Sequence, residues 1–214
     1  MIFDIFRVIG LVLGYPLQLL FFKRKTYYED KSQTHLFKGG KLIITNHFNM
    51  FDYVLTSFVV FPRKLNVVAS EMPFKSKITT FLMKFFGAIQ CNRETRSMRF
   101  MDECARVISS GQLVQIYPEG RNTPDGEMHE FKMSYLVIAH RAKSTIVPII
   151  TDGNYGLFKR ASVMIGKEID VSSFFTTDRP TPPREQLEQA NAFVFNKCLE
   201  LREELERRKH RRNP

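Results

Sequence analysis

Cysteine is scarce in this 214-residue chain: Cys91, Cys104 and Cys198 are scattered, odd in number and without Cys-x-x-Cys spacing. That argues against a disulfide framework and a zinc site, and it is compatible with a reducing compartment. No grouping of residues has the spacing of metal ligands, so no metal is expected. The short signatures Gly-x-Ser-x-Gly, Gly-x-Gly-x-x-Gly and Gly-x4-Gly-Lys-Ser/Thr are missing, which disfavours a serine hydrolase or a nucleotide enzyme. No motif for DNA or RNA binding occurs, and nucleic acid is not an expected partner. Acidic residues are the minority, 22 against 32 Lys and Arg, and the net charge of +10 calls for an anionic partner. Tryptophan is absent, whereas Phe is abundant at 20 and Met stands at 9. Both fill apolar space adaptably, and Met also lines surfaces that accept variable apolar ligands.

An uninterrupted apolar run of membrane-spanning length is lacking too. Residues 2–22, IFDIFRVIGLVLGYPLQLLFF, contain Asp4, Arg7, Pro16 and Gln18, and the part from Val8 to Leu17 falls short of a span. The basic cluster Lys23-Arg24-Lys25 follows the apolar run, the reverse of a cleaved signal peptide. A Pro-broken helix lying in one leaflet fits this pattern better than a tilted span, with the cluster against anionic headgroups. Residues 1–25 are therefore read as a membrane-associated helical segment on the cytoplasmic face, and residues 26–214 as one domain.

Within that domain, apolar runs and helical periodicities alternate. Strands are expected at 42–45, 65–69, 88–92, 113–117, 145–150 and 163–165. Helices are expected at 52–61, 77–86, 95–110, 132–142 and about 185–210. The fold class is α/β, a single domain with a mixed, largely parallel sheet flanked by helices.

The segment Thr45-Asn46-His47-Phe48-Asn49-Met50-Phe51-Asp52 leaves the first of these strands. A neutral imidazole takes a proton near pH 7, and a carboxylate on its other nitrogen fixes the tautomer. Residues five apart do not share a helix face. The two meet only with His47 in the turn and Asp52 in the first helical turns. Asn49 is placed either to cap that helix or to act in the site.

Three further segments follow in order: Gly87-Ala88-Ile89-Gln90-Cys91-Asn92-Arg93; Tyr117-Pro118-Glu119-Gly120-Arg121-Asn122-Thr123 with Asp125-Gly126 and Phe131-Lys132; and Ile146-Val147-Pro148-Ile149-Ile150. With Asn46, His47 and Asp52 they resemble the four blocks of the glycerolipid acyltransferase family that makes phosphatidic acid. The likeness runs from about residue 40 to 150. It departs where the family has an arginine two places after the Pro-Glu-Gly glycine: Asn122 stands there, with Arg121 one place earlier. Ser134 also replaces a glycine.

The resemblance implies transfer of an acyl group from a thioester, acyl-CoA or acyl-carrier protein, to the free hydroxyl of 1-acylglycerol 3-phosphate. His47 is then the general base and Asp52 its orienter. Arg93 and Arg121 are candidates for the substrate phosphate, because a guanidinium fork matches phosphate oxygens. Glu119 holds the loop or a substrate hydroxyl, and Gly120 lets the backbone approach, its N–H a candidate for the oxyanion. No cofactor beyond the thioester co-substrate is implied. Partners are the lysophospholipid, the acyl donor, a membrane surface and, for one donor class, an acidic carrier protein. Glycerol 3-phosphate, another lysophospholipid or an amino-acid lipid remains an alternative acceptor, and a non-catalytic basic binding protein an alternative class.

Overall fold

A computed structural model describes residues 2–30, 32–71, 74, 76–91, 98–123 and 126–211, with backbone alone for residues 2–5. Strands β1 (Lys25–Tyr28), β2 (Lys41–Thr45), β3 (Leu65–Ser70), β4 (Ala88–Cys91), β5 (Leu113–Ile116), β6 (Ile146–Thr151) and β7 (Ser162–Ile165) form one sheet in the order β1-β7-β6-β2-β5-β3-β4. β6, β2, β5, β3 and β4 run parallel, and β7 pairs antiparallel with β6. β1 pairs parallel with β7, so the sheet is mixed and mostly parallel, as expected.

The central strands read as continuous apolar runs because they are covered on both faces. In β2, Leu42 and Ile44 face one core and Ile43 the other, all buried, each burial contributing about 1.5–3 kcal/mol. Helices α4 (Arg99–Ser109), α5 (Ser134–Ala142) and α6 (Arg184–His210) cover the first face. In α4, within the helix expected at 95–110, Met101, Cys104, Ala105 and Ile108 are buried on one side, whereas Met98 stays exposed. At the basic end of α6, Arg207 and Arg208 pair with Glu204 and Lys209 with Glu206; Arg208 also donates to the Tyr28 carbonyl and Lys209 also pairs with Asp152.

Helices α1 (Ile2–Phe22), α2 (Phe51–Val59) and α3 (Lys77–Phe85) cover the opposite face. α1 runs through Pro16 unbroken, because proline removes a single intrahelical hydrogen bond there, so the expected Pro-break is corrected. Its inward stripe is Arg7, Leu11, Gly14, Gln18 and Phe22, at helical spacing. Arg7 is 6% exposed and donates to the Phe86 carbonyl at 3.2 Å. Gly87 (φ +73°) has to be glycine, since a Cβ there would lie 2.0 Å from the Arg7 guanidinium. The outward side carries Val12, Leu13, Leu17 and Leu20, from 53 to 71% exposed. α1 thus departs from ordinary amphipathicity: it buries Arg7 and Gln18 while its outward side is apolar.

α3 is found where expected, but its apolar stripe is not core. Ile78, Phe81 and Leu82 are exposed, and no residue of this helix is buried. Among the described residues no helix is long and apolar enough to cross a membrane. The strand β1 falls where no strand was expected, and the boundary drawn at residue 25 coincides with its first residue.

Candidate active site

The parallel strands β2, β3, β4, β5 and β6 end at one edge of the sheet, where α/β folds hold their ligands. Beyond β2, Asn46 extends the ladder with its side chain: Nδ2 donates to the Thr151 carbonyl and Oδ1 accepts the Thr151 N–H, both at 2.9 Å. This fixes the chain just before His47, whose own carbonyl accepts the Thr123 N–H at 2.7 Å.

The chain then turns into α2. Asn49 Oδ1 accepts the Phe51 N–H at 2.9 Å, so Asn49 shapes the entry to the helix that carries Asp52. Asp52 lies in the first helical turn, fully buried, with Oδ2 at 2.9 Å from His47 Nδ1. The Phe48 and Asn49 N–H groups donate to the same oxygen at 2.7 and 2.8 Å, and the Tyr155 hydroxyl donates to Oδ1. Every contact to the carboxyl is a donor, the environment of a carboxylate. Nδ1 of His47 therefore carries the hydrogen, and Nε2 presents a lone pair with no hydrogen-bond partner among the described residues.

The His47 ring stacks on Tyr117, 3.8 Å between centroids with planes 16° apart, which holds its second degree of freedom. The Tyr117 hydroxyl is buried without a partner among the described residues, and burial drives its acidity well down. Phenylalanine would keep the stack and remove an unsatisfied group. Tyr117→Phe is expected to raise stability by about 1 kcal/mol, read as a higher unfolding temperature.

His47 lines a cavity of about 590 Å³. Its apolar wall is built by Met50, Tyr53 and Val54 before and in α2, Val67 and Val68 of β3, Met83 of α3 and Phe100 of α4. Its polar lining residues include Asn122, Lys132 and Ser134. The size lies within the ~300–1,000 Å³ usual for ligand pockets.

The other expected site residues are distributed unevenly. Glu119 is 4% exposed; Oε2 accepts the His129 N–H at 3.0 Å, so the side chain holds the following loop. Burial pushes its carboxyl up, partly offset by that N–H. Gly120 lines the cavity with φ +66°, but its N–H bonds the Tyr117 carbonyl at 3.0 Å and is not free for an oxyanion. Arg121 is exposed and does not line the cavity; its neighbours Gly120 and Asn122 do. Arg93 lies outside the described residues, as does Asp125, while Cys91, two places before Arg93, lines the cavity. Among the described residues no His, Cys, Asp and Glu cluster could hold a metal.

Two residues with no expected role join the site. Lys132 lines the cavity, and its side chain lies over Gly120, where a Cβ would come within 2.8 Å of Nζ. The signal for it was present, since it closes the third block. Tyr155 reaches Asp52 from 103 residues away, outside every block, and no sequence signal marks it.

A sequence model of the acyltransferase family, described as Acyltransferase, matches residues 23–152, more than half of the chain. The chain belongs to the acyltransferase family. Its first three blocks fall at the start of the loop after β2, along β4 and after β5, and each contributes residues to the cavity, while the fourth lies within β6. No curated protein matches this acyltransferase in sequence. Among solved structures it is similar to the 1-acyl-sn-glycerophosphate (LPA) acyltransferase PlsC from Thermotoga maritima, with a TM-score of 0.55 and 17% identity, over 91% of this chain and 77% of that one. At that identity the likeness is one of fold.

Proposed function

We propose that this acyltransferase moves an acyl group from a thioester to the free hydroxyl of 1-acylglycerol 3-phosphate, giving phosphatidic acid. The observation that carries the reading is the Asp52–His47 pair opening onto a largely apolar cavity that Lys132 also lines. Nε2 of His47 removes the hydroxyl proton as the oxygen attacks the thioester carbonyl, and the thiolate leaves after collapse of the tetrahedral intermediate. A thioester is already activated, so no covalent enzyme intermediate is needed. The apolar wall suits an acyl chain, and Lys132, which lines the same cavity, suits the phosphate. The name of the structural neighbour supports the same acceptor.

The deciding experiment is thiol release from acyl-CoA and acyl-carrier protein, with 1-acylglycerol 3-phosphate, glycerol 3-phosphate, other lysophospholipids and monoacylglycerol as acceptors. Turnover should be fastest with 1-acylglycerol 3-phosphate. Turnover confined to the uncharged monoacylglycerol would remove the phosphate assignment.

The reading extends to a membrane surface on the cytoplasmic face. α1 and α3 are in contact and each exposes an apolar side, and Leu157 and Phe158, 59 and 99% exposed, precede Lys159 and Arg160. Such a surface suits a single anionic leaflet, from which a lipid enters the cavity past α3, whose Met83 lines it. Leu13 and Leu17 point away from the domain at 71 and 69% exposure. Replacing both by Glu should leave the fold intact and reduce flotation with anionic vesicles by at least about tenfold. A doubly substituted protein that floats like the wild type would overturn the leaflet reading.

A further inference from the structure

We propose that Tyr155 is a positioning residue for the His47 base, acting through the buried Asp52 carboxylate; the inference rests on the reading of His47 as that base. Oδ2 of Asp52 serves the Phe48 and Asn49 N–H groups and His47 together. Oδ1 has one hydrogen bond among the described residues, from the Tyr155 hydroxyl. A carboxylate fixed at one oxygen alone can still rotate about its Cβ–Cγ bond and carry Oδ2 off the imidazole. The bond at Oδ1 blocks that rotation.

Tyr155 is itself held from several directions. Its hydroxyl oxygen lies 3.0 Å from Thr151 Oγ1, which can donate to it while it donates to Asp52. Its ring meets the Phe22 ring edge to face at 5.5 Å. The loop between β6 and β7 is closed at its base by Asp152, which accepts the Ser162 N–H at 3.0 Å and pairs with Lys209 at 3.2 Å. At its far side the Gly156 and Ala161 N–H groups bond the carbonyls of Phe21 and Phe22, the last residues of α1, at 3.1 and 2.8 Å. Gly153 (φ +68°) passes under the Phe48 ring, where a Cβ would come within 2.7 Å. The loop therefore presents one hydroxyl to one carboxylate oxygen from a braced frame. Burial and the Asp52 charge push the phenol's pKa far up, so it remains a donor throughout the working pH range. The end of α1 is thereby tied to the base through two backbone bonds, one ring contact and one hydroxyl.

A double-mutant cycle on the full chain tests this, with kcat and KM measured separately. Tyr155→Phe should lower kcat about tenfold with KM within about twofold of wild type, as when a reacting group is loosened rather than removed. In the Asp52→Asn and His47→Ala backgrounds the same substitution should cost less than about twofold, because the first has no carboxylate to hold against the imidazole and the second no imidazole to orient. An equal loss in all backgrounds, a change confined to KM, or no loss at all would refute the role. If His47→Ala keeps wild-type turnover, the base reading and this inference both fall. If His47→Ala is inactive while Tyr155 acts additively with Asp52, the inference alone falls.

Discussion

His47→Ala is expected to lower turnover by about 10²- to 10⁴-fold while leaving the unfolding temperature nearly unchanged. The imidazole is held by one hydrogen bond and one ring stack and is partly exposed to the cavity, so its removal opens no hole in either core. The loss is thus one of chemistry. Asp52→Asn should follow in the same direction. An amide oxygen can still accept from the Phe48 and Asn49 N–H groups, which preserves the turn. It carries no charge to stabilise an imidazolium, however, and its NH2 group faces the Tyr155 hydroxyl, itself a donor. The measurement is single-turnover thiol release at saturating acceptor. Retention of wild-type turnover by His47→Ala would end the proposed mechanism.

What the sequence made legible followed from local rules. Six strands and five helices after α1 lie where periodicity put them, because buried parallel strands read as short apolar runs and helices as 3.6-residue stripes. The His47–Asp52 contact was also legible, since only a turn followed by a helix start brings residues five apart together. Three things were not. β1 is an edge strand of four half-buried residues starting at a lysine, too short to show a pattern. The apolar face of α3 looks the same in sequence whether it meets a core or faces out, because periodicity names a face but not its partner. Tyr155 and the orphan hydroxyl of Tyr117 depend on tertiary approach across the sheet, which no local spacing encodes. The pair at the centre of the site was readable; the residues bracing it were visible only once the chain was folded.

Lys132→Ala is expected to raise KM for 1-acylglycerol 3-phosphate by about tenfold with little change in kcat, and to leave any turnover of monoacylglycerol untouched. The Lys132 N–H bonds the Pro118 carbonyl at 2.9 Å, which ties this residue to the segment leaving β5. Its side chain then crosses Gly120, whose missing Cβ provides the path, and borders the same cavity as His47. Among the described residues no salt bridge engages its ammonium group, so the charge is available to an incoming anion. A hydrogen bond to a charged group contributes about 1.5–3 kcal/mol, and the exposure of Lys132 places the effect at the lower end, about tenfold in affinity. The effect should shrink with added salt, because an exposed ammonium is screened. Arg121→Ala serves as the internal comparison: the side chain is exposed and absent from the cavity lining, and its loss should change KM less than about twofold. Glycine at 120 enters the same argument from the other side. Gly120→Ala would force Lys132 aside and strain a backbone at φ +66°, so it should reproduce the KM defect and add a loss of stability of about 1 kcal/mol or more. A KM unmoved by Lys132→Ala but raised by Arg121→Ala would return the phosphate to the arginine, and the acceptor would then have to enter from the opposite side of Gly120.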